Sequence, residues 1–132
     1  MTVRNIVTDE KTGGQKEAKL ARFSLIPSEF VWGLAELYGR GAHKYADRNW
    51  EKGYKWSLSA DALDRHWHLF RMGENYDKET GIHHLVCVGW HACALFIFQL
   101  RGLGTDDLTM KASFVSSSTG LSPTLRQPSP GE

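Results

Sequence analysis

The chain predicts an all-α fold: a helical bundle of three main helices with an N-terminal arm, completed by oligomerisation. Three observations carry this. Two stretches place apolar residues at three-four spacing, a third is apolar nearly all round, and no strand-like alternation competes with them. At 132 residues with 41% hydrophobic and 23% charged side chains, the chain suits a single domain of modest core.

Each element follows in order. Residues 1–22 are polar and Lys-rich with a turn signal at Gly13-Gly14, and read as an arm rather than an autonomous fold. The helical domain spans residues 23–101. After Pro27, residues Phe30, Val31, Leu34, Leu37 and Tyr38 form one apolar face with Ser28 placed to cap, and Gly39 and Gly41 are expected to stop the helix. Residues 46–56 form a loop rich in aromatic and basic side chains. A second helix starts near Ser57 or Ser59, buries Ala62, Leu63, Trp67, Leu69 and Phe70, and ends at Gly73. A third follows Gly81, and its all-round apolarity marks it as central and buried. Two partly apolar helices cannot cover it on every side, so a dimer or tetramer is expected. From Gly102 to residue 132 the chain turns to Ser, Thr, Pro and Gly, which predicts a flexible tail, or a strap ordered only against a partner.

Composition narrows the function classes. The apolar run 85–100 is broken by Gly89 and His91 and is shorter than the roughly 18–20 residues that span a bilayer, so no membrane partner is expected. The first fourteen residues lack a signal-type hydrophobic stretch, which implies a cytoplasmic location. Cys87 and Cys93, six apart on one helix, point to different faces and read as reduced core thiols. A net charge of +1 argues against a nucleic-acid partner, whereas a small anion needs only local positive charge.

Chemistry concentrates in residues 65–91, where histidines and the carboxylates Glu74, Asp77 and Glu79 surround a helix break. Carboxylate oxygens suit Mg²⁺ or Mn²⁺, which commonly take one or two of them plus substrate phosphates. From spacing alone, a solvated acidic turn accounts for these three at least as well. His84 and His91 share a helical face with Cys87, but a rise of about 1.5 Å per residue separates them by roughly 10 Å, too far for one zinc ion. His66 falls on the inward face of the second helix and His68 on the outward one. Glu36, two turns from Glu29, is either a further metal ligand or part of a solvated face. Lys16, Lys19 and Arg22 in the arm, and Lys44 and Arg48 interleaved with Trp50, Tyr54 and Trp56, suit phosphates and a stacked base, or else are loop charges with aromatics folded onto the core.

Taken together, these residues resemble a known family. The runs KYADRNW at 44–50 and GENYDKETG at 73–81, with the arm and the third helix, are similar to the phage-encoded dATP/dGTP diphosphohydrolases over residues 13–100. That family is grouped loosely with the MazG-like all-α pyrophosphohydrolases, and the resemblance also implies a bacterial host cytoplasm. It implies Mg²⁺- or Mn²⁺-dependent cleavage of a purine deoxynucleoside triphosphate to the monophosphate and pyrophosphate. The implied catalytic residues are Glu74, His66, His84 and Lys44. The implied metal ligands are Glu74 and Asp77, with Glu36 or Glu79. Nucleotide contacts fall to Lys16, Lys19, Arg22, Lys44, Arg48, Asn49, Trp50 and Arg65. A protein that binds the nucleotide without cleaving it is the alternative.

Overall fold

The structure, a computed structural model, describes residues 5–108, and the chain divides into two compact units. The first contains the arm, which is not featureless. Strands β1 (Asn5–Thr8) and β2 (Gln15–Ala18) pair antiparallel with Asn5 opposite Ala18 and Thr8 opposite Gln15. The connecting loop closes on Asp9, whose carboxylate accepts the amides of Lys11 and Thr12 at 2.9 Å each. Its own amide donates to the Gly14 carbonyl at 2.8 Å. The expectation of a purely α-helical chain is corrected here: main-chain pairing, closed by an Asx turn, shapes a segment with little apolar patterning.

The second unit holds α1 (Ser28–Lys44), α2 (Trp56–Arg71) and α3 (His84–Arg101). Helix α3 packs chiefly on α2 and less extensively on α1. Val86 and Cys87 of α3 are buried with Ile82 against Leu34 and Leu37 of α1. Further along, Ala94 and Phe98 have no exposed surface. The α1–α3 approach depends on Gly89, where a Cβ would run into the Phe30 ring. At 18 residues, α3 is long and apolar enough, by length and composition alone, to cross a membrane.

Two helix boundaries and the covering of α3 differ from the sequence reading. Helix α1 runs through Gly39 and Gly41 to Lys44, because two glycines cost only about 1 kcal/mol each and neither breaks the hydrogen-bond ladder. Helix α2 starts at Trp56, and its N-terminus is satisfied from fifty residues away rather than by its own serines. The Trp56 amide donates to the Thr105 carbonyl at 3.0 Å, and the Ser57 amide and hydroxyl donate to Asp107 at 2.9 and 2.7 Å. Residues 103–107 thus form a strap on the same chain, seated by Gly53 and Gly104, where added Cβ atoms would strike backbone. The Ser/Pro-rich stretch from 109 onward lies outside the described residues. Finally, α3 is apolar all round but not covered all round. Phe96 and Leu100 are 45% and 56% exposed, as are Trp67 and Leu69 of α2, expected inside, at 41% and 36%.

Candidate functional site

Two clefts in the helical unit share a wall. The larger, about 910 Å³, is lined by residues 45–51 of the loop after α1 together with Tyr38, Tyr54, Leu58, Ser59, Trp90 and His91. The smaller, about 240 Å³, is lined by Arg40, Lys44, His66, Asp77, Glu79 and Thr80 among others. Gly41, Trp90 and His91 line both.

The large cleft is aromatic. Tyr38, Trp50 and Trp90 form a triangle of rings with centroids 5.5 to 6.0 Å apart, the separation at which tilted and edge-on pairs attract. The Tyr38 hydroxyl donates to Cys93 Sγ at 3.2 Å. Arg48 sits in the left-handed region at φ 59° and pairs with Glu51 at 3.1 Å. At the shared wall, Ser59 is buried between the Tyr54 hydroxyl at 2.5 Å and His91 Nδ1 at 3.0 Å. Burial, with help from neighbouring His66, pushes His91 down to about 4, so it is neutral at physiological pH. The Trp90 indole N–H is buried and has no hydrogen-bond partner among the described residues.

The small cleft is polar. Its back is a hydrogen-bonded row: Glu74 Oε2 to His84 Nε2 at 2.7 Å, and His84 Nδ1 to His66 Nδ1 at 2.8 Å. His84 has no exposed surface. The bond from His84 holds the Glu74 carboxyl below its usual range. Burial lowers His66, an effect that Asp77 partly opposes. Burial raises Asp77, but the hydroxyl and amide of Thr80, at 2.8 and 3.1 Å, outweigh it and leave the carboxyl low. One ligand atom each from His66, Asp77 and His84 fall within 4.8 Å of one another, which is metal-site spacing.

Set against the sequence reading, the fold brings His66, His84, Asp77, Glu79 and Lys44 together and places Arg48, Asn49 and Trp50 across the shared wall. Others stand apart. Glu74 has both oxygens engaged, by His84 and by Lys78 at 3.5 Å. Glu36 and Arg65 are exposed and line neither cleft. Lys16, Lys19 and Arg22 belong to the other compact unit, where Lys19 pairs with Glu17 at 3.2 Å. Arg40 and Trp90 carry no sequence signal, because each looks like an ordinary helix residue until its neighbours are known, whereas Tyr38, Ser59 and His91 are legible only as a helix-face residue, a helix start and half of a histidine pair. The His66 ring neighbours both His84 and His91, with centroids 5.1 and 5.9 Å away.

Comparison with known proteins adds a family. A protein of Salmonella phage PMBT28 named dATP/dGTP diphosphohydrolase is 34% identical over 91 residues, which cover 67% of this chain and 30% of that protein. This chain therefore corresponds to less than a third of that relative's length. No solved structure matches. The profile described as "dATP/dGTP diphosphohydrolase, N-terminal" matches residues 10–108, three quarters of the chain and nearly all of its described part, and the chain belongs to that family.

Proposed function

We propose that this chain binds a purine deoxynucleoside triphosphate across the two clefts and hydrolyses it to the monophosphate and pyrophosphate. The observation that carries the reading is the shared wall. An aromatic cleft of nucleotide size adjoins a pocket that offers cations, carboxylates and an imidazole. Tyr38, Trp50 and Trp90 offer faces for a base, and Lys44 and Arg40 offer charge for phosphates. The name of the phage relative supports the substrate class.

The donor set of the small cleft fits Mg²⁺ or Mn²⁺. Asp77 and Glu79 are hard oxygen ligands, and such ions take their remaining ligands from phosphate and water. When bound, the ion polarises the phosphates and acidifies water. The protein's own groups do the rest. Lys44 and Arg40 neutralise charge on the departing pyrophosphate. His66, kept neutral by burial, accepts a proton from the water that attacks the α-phosphorus.

The test is incubation of the full chain with each of the four deoxynucleoside triphosphates and Mg²⁺ or Mn²⁺, measuring pyrophosphate. Release from dATP or dGTP, falling about 10²-fold in Asp77→Asn, is the expected result. Binding without release supports the second reading, a nucleotide-binding part of a longer enzyme, which the 30% coverage of the relative favours. Neither binding nor release removes both.

A further inference from the structure

The row of Glu74, His84 and His66 has one consistent proton arrangement when both rings are neutral. An ionised carboxylate only accepts, so His84 Nε2 carries the hydrogen in the 2.7 Å bond to Glu74. His84 Nδ1 is then a lone pair, and the 2.8 Å contact to His66 Nδ1 is a hydrogen bond only if His66 donates. His66 therefore holds its hydrogen on Nδ1 and leaves Nε2 bare. His66 also lines the small cleft, beside Asp77.

We propose that Glu74 is a positioning residue that acts through His84 to fix the tautomer of His66, so that an imidazole electron pair is preset at the small cleft. This rests on the small cleft as the reacting site and gives Glu74 a different role from the metal ligand expected of it. Both of its oxygens are already engaged, at 2.7 Å by His84 and at 3.5 Å by Lys78, and it lines neither cleft. Carboxylate-to-histidine pairs of this kind commonly orient a ring whose far nitrogen does the work, and loss of the carboxylate costs about 10- to 100-fold. The row spans two helices and the segment that joins them: Glu74 follows α2, His84 opens α3 and His66 lies within α2. A single imidazole is free to exchange tautomers in water, whereas this one is committed by two bonds in series.

The experiment is long-range ¹H–¹⁵N correlation on the histidine-labelled full chain at neutral pH, without metal or nucleotide. The expected spectrum shows His66 protonated at Nδ1 and bare at Nε2, with His84 protonated at Nε2. His66 protonated at Nε2 overturns the proposal. Glu74→Gln, whose amide oxygen can accept the same hydrogen, keeps the wild-type tautomer and Mn²⁺ affinity. Glu74→Ala lets His66 populate both tautomers and lowers kcat for dGTP by about 10- to 100-fold, with KM within about twofold. A tenfold or greater loss of Mn²⁺ affinity in Glu74→Gln instead makes Glu74 a ligand and also overturns the proposal. Because the spectrum needs no substrate, a chain that fails to release pyrophosphate yet shows this tautomer sinks the hydrolase reading alone.

Discussion

Burial, reinforced by Asp77, pushes the Cys87 thiol up to about 11, so at pH 7.5 almost none of it is thiolate. Iodoacetamide should therefore leave Cys87 unmodified in the folded chain and alkylate it in denaturant, as peptide mass spectrometry would show; rapid labelling under native conditions contradicts the packing described here. Both cysteines are free, as their spacing predicts. His68 shows how far residue-level reading goes. It is exposed as its helical face requires, but its ring bonds to the Asp64 carbonyl at 2.7 Å, a backbone partner that side-chain spacing cannot show.

At the scale of elements, α1 carries two interior glycines for which packing gives no reason: a Cβ at Gly39 or Gly41 would meet nothing within 4 Å. Both line the large cleft, and Gly41 also lines the small one. Helix stability is given up where open space adjoins the proposed ligand. Gly41→Ala should accordingly stabilise the chain by about 0.5–1 kcal/mol in urea unfolding while raising KM for dGTP about tenfold. A variant that is stabilised with unchanged KM shows that the glycine has no part in binding.

The strap makes a second element-scale prediction. Hydrogen bonds from Ser57, first its hydroxyl and then its amide, hold Asp107 below the ordinary carboxyl value of 3.8. A carboxyl depressed in the folded state stabilises the fold above its unfolded value, and that stability is lost as pH falls through the folded value. Asp107→Ala should lower Tm by a few degrees at pH 7 and should differ less from wild type as pH drops below about 3.8. A gap that does not narrow across this range excludes the carboxylate as the source of the cap.

For the whole molecule, the expected association of copies remains a proposal, supported by surface that one chain leaves uncovered. Trp32 of α1 is 72% exposed and Val31 48%, while α3 exposes Phe96 and Leu100. Where such side chains adjoin, the surface is of the kind that marks an interface. Sedimentation equilibrium should return a multiple of 14.9 kDa at micromolar concentration, reduced by Trp32→Glu or Phe96→Glu. A wild-type chain that stays monomeric at every concentration rules the oligomer out.

The sequence by itself determined the three helices and the family. Periodicity at Phe30, Val31, Leu34 and Leu37 is a local property, and the runs at 44–50 and 73–81 are contiguous. It also marked residues 65–91 as chemical ground, and His66, Asp77, Glu79 and His84 do gather there. Other features required the tertiary structure. The arm's hairpin left little trace because its pairing is carried by main chain and an Asp9 turn rather than by alternating apolar residues. The α2 cap comes from Asp107 and the cleft wall from Trp90 and His91, since contacts across tens of residues depend on how helices cross. Glu74 shows this most clearly: it stands three residues before Asp77, where spacing alone suits a solvated turn and the family resemblance implies a metal ligand. The packing of α3 against α2 brings His84 Nε2 to 2.7 Å from its carboxylate, a contact that no spacing shows because it depends on how the two helices cross.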